Sequence, residues 1–166
     1  MDQVILWSGL AIGSYAMWRF SVGKKPAQMQ AAAIPTGVIL EPQPPLSDAD
    51  VQRYNLLRLA AQDRYIVLAR VPLMSIVGVR AEGAGRLQML RRMALKNLDF
   101  VLIHPGTRLV EHVVQVEGDQ QSDPSEAEKR QDIRRIVVAA GINLVTMEAD
   151  QFYSVQQLGE MLGIGE

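Results

Sequence analysis

The sequence predicts an α/β fold with a mixed sheet covered by helices, and three observations carry that prediction. Four short apolar runs have strand length and composition: Tyr65–Val71, Leu98–His104, Arg108–Glu117 and Ile142–Met147. The stretches at 47–61 and 124–140 instead place apolar residues at helical spacing, with Ile133, Ile136, Val137 and Ala140 at i, i+3, i+4 and i+7. A helix before the last strand calls for a parallel crossover, whereas Pro105-Gly106 calls for an antiparallel hairpin, so both pairings belong to one sheet.

Each element has a local reason. Ser47 with Asp50 three residues on reads as a capping box, and Leu56, Leu57, Ala60 and Ala61 then face a core. The first strand ends at Pro72, which cannot donate to a ladder. Leu73–Arg80 is apolar but irregular and reads as a short helical turn. Glu82-Gly83-Ala84-Gly85 reads as a flexible loop, followed by a short helix over 86–96 with Leu87, Leu90 and Met93 on one side. The hairpin Leu98–His104 and Arg108–Glu117 follows, then a polar loop over 118–122. Asp123 is a candidate cap, with Pro124 at the first helical position and Gly141 past the end. After the last strand, Ser154 caps a final helix that runs through Leu162.

Two segments precede this domain, which is expected over 46–166. Residues 23–45 hold Pro26, Pro35, Pro42, Pro44 and Pro45 and read as a semi-extended linker, with Val38-Ile39-Leu40 as a candidate edge strand. Residues 1–22 read as a transmembrane helix. Val4 to Trp18 carries no charge, and extension to Val22 approaches the ~20 residues a bilayer needs. Arg19 lies near the end of that run, where it can snorkel, and Trp7 and Trp18 sit towards its two ends. Only Asp2 precedes the run, while Arg19, Lys24 and Lys25 follow its core. The expectation is a single pass through the inner membrane, anchored by residues 4–22, with the domain in the cytoplasm. Gly9, Gly13 and Ala16 offer small-residue spacing for helix contacts with other subunits.

Composition narrows the chemistry. Apolar content of 48% with 21% charged residues is that of a globular chain. A net charge of -1 gives no global field for nucleic acid, so any such contact has to come from local patches. Two clusters qualify: Arg86, Arg91, Arg92 and Lys96, and Lys129, Arg130, Arg134 and Arg135, each equally readable as a solvated helix face. The absence of cysteine excludes disulfides, thiolate metal sites and cysteine nucleophiles. No phosphate-cradling glycine loop and no nucleophile elbow is present, since Gly83-Ala84-Gly85 lacks the lysine and context. His104 beside Pro105 and His112 on a strand read as surface or packing residues, not as a metal pair.

In order and spacing, several pieces resemble one bacterial family, the domain of unknown function 2726, which is assigned to the restriction-endonuclease-like, or PD-(D/E)xK, fold. They are Leu46-Ser47-Asp48-Ala49-Asp50, Arg70-Val71-Pro72-Leu73, Leu98-Asp99-Phe100-Val101-Leu102, Val113 to Asp119, Ala140-Gly141-Ile142 and Tyr153 to Leu158. The resemblance covers roughly Leu46 to Leu162 and implies an α/β/α core. It also implies a site. Phosphodiester hydrolysis in that fold uses a hard divalent cation, usually Mg²⁺, held by carboxylates, with a basic residue two positions after the second acid. Side chains two apart on a strand share a face, which accounts for that spacing.

Asp99 matches the first acid of the pattern, and Asp50 matches a helix acid that could join it. Where the family reads acid-x-acid, this chain has Gln115 and Glu117, and Gln121 falls where a histidine would be. Asp99 with Glu117 is the remaining metal pair, Glu111, Gln115 and Glu117 are expected on one strand face, and no lysine lies two residues beyond either acid. A neutral amide lacks the ion–charge attraction of a carboxylate, so the expectation is a degenerate site with no cofactor: a binding or assembly module in an envelope-associated complex. The competing expectation is an active Mg²⁺-dependent nuclease using Asp99 and Glu117 with Asp50 and Gln115. Its nucleic acid would be held by Arg91, Arg92, Lys96, Lys129, Arg130 and Arg134. A third reading has Asp99 only capping a turn or pairing with Lys96 or Arg92.

Overall fold

The computed structural model describes residues 34–118 and 124–164. Helix α1, Asp48–Ala61, starts at its expected cap: Ser47 Oγ accepts the Asp50 N–H at 3.1 Å, and the Asp50 carboxylate accepts the Ser47 N–H at 3.4 Å. That exchange satisfies donors the first turn leaves without helical partners. Then come β1 (Ile66–Pro72), α2 (Leu73–Ile76), α3 (Gly83–Met93), β2 (Asn97–Ile103), β3 (Val110–Glu117), α4 (Pro124–Ala139), β4 (Asn143–Glu148) and α5 (Val155–Met161). The helix α5 repeats the reciprocal cap with Ser154 and Gln157. Past α4, Gly141 takes φ +76°, a left-handed geometry that glycine enters without steric penalty.

The four strands lie in the order β1-β2-β3-β4. The first two pairings are antiparallel, and β3 runs parallel to β4, joined by α4 as the crossover helix. This is the mixed sheet the sequence predicts. Adjacent residues in the central strands go to opposite faces. Phe100, Leu102 and Val114 join Leu57, Ala60, Ala61, Met147 and Leu158 in a cluster under α1 and α5. Val101 and Val113 join Leu73, Met93, Ile133 and Val137 under α2, α3 and α4.

Several local expectations are corrected. The glycines at 83 and 85 do not form a loop but open helix α3; Gly83 enters it at φ +62°, a conformation an L side chain resists. On that helix Met93 is buried whereas Leu87 is 51% exposed, because α3 is held to the sheet through its last turn. Ala140 is exposed, and α4 buries Ile133 and Val137. Val38, Ile39 and Leu40 are exposed and lie in no strand among the described residues. No helix among the described residues is long and apolar enough to cross a membrane; the expected anchor, residues 1–22, lies outside them, as does Gln121.

Besides a register shift between Leu102 and Ile103, the sheet departs from regular geometry at the rung of Arg70 and Asp99. Val67 and Ala69 face the α1 cluster, yet Val71 belongs to the α4 cluster; on the paired strand Phe100 and Leu102 face α1, yet Leu98 faces α4. Both strands therefore turn over between Ala69↔Phe100 and Val71↔Leu98. The residues between are Arg70 and Asp99, and Arg70 has φ +54°. A left-handed residue inside a strand reverses its alternation, at a steric cost of ~1–2 kcal/mol for a residue with a Cβ. Such strain concentrates at functional positions.

Candidate functional site

The overturned rung sits at the sheet end formed by the last residues of β1, β3 and β4 and the first of β2. The pairing of β2 with β3 stops at Phe100↔Val114, and beyond it a side chain takes over the bridge: the Val116 N–H donates to Asp99 Oδ2 at 2.9 Å. Opposite Asp99, Arg70 sends one guanidinium nitrogen to within 3.9 Å of Asp99 Oδ1 and donates with the other to Asp50 Oδ2 at 3.4 Å. From the same helix as Asp50, Arg53 lies 3.5 Å from Asp50 Oδ1 and donates to the Ala149 carbonyl at 3.0 Å. Two aspartates and two arginines, from α1, β1 and β2, thus form one connected cluster tied to the loop after β4.

Burial sets its electrostatics. The Asp99 side chain is 28% exposed, and this desolvation pushes its carboxyl above the ordinary aspartate range. The Val116 N–H and Arg70 pull the other way, and the Asp50 charge adds to the rise. Arg70 is half exposed, so its guanidinium is the solvent-facing member of the cluster.

The sequence-selected acids divide between two places. Asp50 joins Asp99 through Arg70, whereas Glu117 is bonded by Arg134 of α4 at 2.6 Å, on the other face of the sheet. Gln115 is buried beside Thr146 of β4, and its amide has no hydrogen-bond partner among the described residues. Glu111 does not share a site with Gln115 and Glu117, because a register shift between Leu102 and Ile103 occurs beside it and its carboxylate accepts from the Tyr65 hydroxyl at 2.9 Å, at the far end of the sheet. Among the described residues no three His, Cys, Asp or Glu converge. Among the described residues the donor set does not by itself fit a hard divalent cation such as Mg²⁺: two carboxylates meet there, with a guanidinium between them.

Asp99 does not pair with Lys96 or Arg92. Both of those cations turn to Asp132 on α4, Arg92 at 2.6 Å and Lys96 at 3.6 Å. The Arg92 hydrogen bond holds the Asp132 carboxyl below the usual range. Lys129 pairs with Glu126 and Arg134 with Glu117, while Arg91 and Arg130 make no ion pair among the described residues. The two basic clusters are therefore partly neutralised within their own helix layer. Sequence reasoning missed Arg53 and Arg70 as site residues. The available signals were a cation three residues after Asp50 on a helix and the lone charge of an apolar strand.

At the opposite end of the sheet, His112 is 8% exposed and its Nδ1 is buried without a partner. Its ring meets Tyr65 edge-on at 5.4 Å. Burial lowers its pKa. The folded state then takes up its proton less readily than the unfolded chain, so stability is full above the unfolded value of ~6.5 and is lost as pH falls below it. His112→Phe keeps the ring contact and removes the orphan nitrogen, which costs ~1–3 kcal/mol when unpaired. The expected result is a flatter stability profile below pH ~6.5 with no loss at neutral pH, read by urea unfolding across pH. An unchanged profile would show that His112 is not the titrating group.

Residues 43–164 match the profile of a family described as protein of unknown function, DUF2726. No curated protein and no solved structure matches the chain.

Proposed function

The chain belongs to the DUF2726 family, and from that premise we propose that it is a non-hydrolysing, nuclease-like domain that works as a binding or assembly module, tethered to the inner membrane by residues 4–22 with the domain on the cytoplasmic side. The observation that carries the reading is the position of Arg70 between Asp50 and Asp99. A phosphodiesterase of the PD-(D/E)xK type needs its acids open to a metal and a lysine near the attacking water. Here a fixed cation of the chain itself neutralises the acids, Gln115 replaces one of the expected carboxylates, and Glu117 is engaged elsewhere. The helix–strand–strand–strand–helix–strand order of α1, β1, β2, β3, α4 and β4 supports a restriction-endonuclease-like origin for the frame.

The surroundings favour binding. Phe152, on the loop whose Ala149 carbonyl holds Arg53, is 98% exposed. A fully solvated aromatic ring on a loop tied to a charge cluster is the composition of an interaction hot spot: the ring supplies apolar area and the arginines supply direction. A protein partner offering an apolar pocket with an acidic rim suits this surface. The membrane part of the proposal rests on the uncharged run from Val4 to Trp18 and the cations that follow it.

A cleavage assay tests the central claim. The purified chain with millimolar Mg²⁺ or Mn²⁺ should leave single- and double-stranded DNA and RNA intact, at the level of an Asp99→Ala control. Metal-dependent cleavage that disappears in Asp99→Ala would overturn the proposal and establish the active-nuclease alternative.

A further inference from the structure

A second site lies on the α4 face of the sheet, away from the aspartate–arginine cluster. It is a cavity of about 450 Å³ between the segment after α2, helix α3 and the last turns of α4. That volume falls within the ~300–1,000 Å³ of small-molecule sites. Helix α3 is seated through Met93 at its C-terminal end, and its first turns stand off the sheet. The cavity itself lies along the C-terminal half of α3, and its apolar lining includes Met89 and Met93 of that helix and Ile136 of α4.

The charges around the apolar floor do not cancel. Arg80, Arg92, Arg135 and Asp132 line the cavity, so three cations face one anion. Asp132 is already committed to Arg92 and to Lys96. Arg80 and Arg135 have no ion-pair partner among the described residues. In a chain of net charge -1, two guanidinium groups without an ion pair in the lining of a largely apolar cavity are a local excess of positive charge. A guanidinium pairs well with a carboxylate or phosphate, and methionines adapt their shape to an aliphatic chain.

We infer that this cavity binds a free, single-chain anionic amphiphile, with its apolar chain against Met89, Met93 and Ile136 and its head group between Arg80 and Arg135. A bilayer lipid is a poorer occupant, since a site of this volume takes one short chain and not the two of a phospholipid. The inference stands apart from the proposed binding function, because none of its residues belongs to the cluster around Asp99.

The test uses the full chain labelled at its methionine methyls and titrated with decanoate below its micelle concentration. The Met89 and Met93 signals should shift saturably, while Met147, buried in the other core cluster, stays in place and reports an intact fold. The Arg80→Ala/Arg135→Ala pair should weaken decanoate binding by about tenfold or more, and binding should fall with added salt. Decanol should bind the parent more weakly than decanoate. Ala139→Trp, which fills the mouth from the exposed side of α4, should abolish the shifts and leave Met147 unmoved. The inference is overturned if Met89 and Met93 do not respond, if decanol binds as tightly as decanoate, or if the double variant binds as the parent does. It is also overturned if only phosphatidylglycerol vesicles, and not decanoate, shift these signals.

Discussion

Phe100→Ala is expected to remove ~3–5 kcal/mol of folding stability, the largest loss of any single truncation considered for this domain. Phe100 is 1% exposed and belongs to the core cluster that also holds Leu57 of α1, Val114 of β3, Met147 of β4 and Leu158 of α5, so it lies in the core shared by most elements of its sheet face. The loss combines the transfer free energy of the ring with a term for the cavity left behind, since neighbours fixed by the sheet ladder close it only in part. Against a typical domain stability of ~5–15 kcal/mol, that leaves a marginal fold. The effect also reaches the site. Leu57 is part of the seat of α1 on the sheet, and α1 carries Asp50 and Arg53 to Asp99. Urea unfolding with an unchanged m-value should show the loss, and hydrogen exchange should show α1 opening early. A loss below ~1 kcal/mol would mean that the face under α1 repacks freely and does not fix the position of Asp50.

Arg70 should show two separable effects. Arg70→Ala removes the cation between Asp50 and Asp99 and is expected to destabilise the domain by ~1–2 kcal/mol at neutral pH, a moderate figure because the guanidinium is half exposed and screened by water. Its sign against pH follows from Asp99. Burial already holds that carboxyl above its unfolded value of ~3.9, and loss of Arg70 raises it further. The folded state then binds a proton more tightly than the unfolded chain, so stability rises as pH falls towards ~4. The deficit of Arg70→Ala should therefore narrow on acidification. Arg70→Gly loses the same charge but accepts φ +54° without a Cβ clash, and should be more stable than Arg70→Ala by ~1 kcal/mol. Equal stability of the two variants would show that the backbone relaxes at this rung and stores no strain. A deficit that stays constant down to pH ~4 would show that Arg70 acts through packing and not through the two acids.

These variants mark where the sequence could be read and where it could not. The capping boxes at Ser47 and Ser154, the hairpin turn at Pro105-Gly106 and the helix stop at Gly141 were legible because each is settled by contacts within a few residues. The glycines at 83 and 85 misled for the same reason. A local flexibility signal stood there without the knowledge that Met93, at the other end of the segment, would be pulled into the core. The alternative that pairs Asp99 with Arg92 or Lys96 rests on proximity in sequence and fails for the same reason, since Asp132, far along the chain on α4, takes both cations.

By itself, the sequence determined the order of elements, the mixed sheet and the family, since periodicity, caps and turns are short-range interactions written into neighbouring residues. Only the tertiary structure decided which charges meet. Arg70 reaches Asp50 across 20 positions and Arg53 reaches the Ala149 carbonyl across 96, through a rung whose strands turn over and reverse the alternation a strand pattern assumes. Such pairings follow from how helices seat on a sheet, a property of the packed core that no local stretch of chain contains.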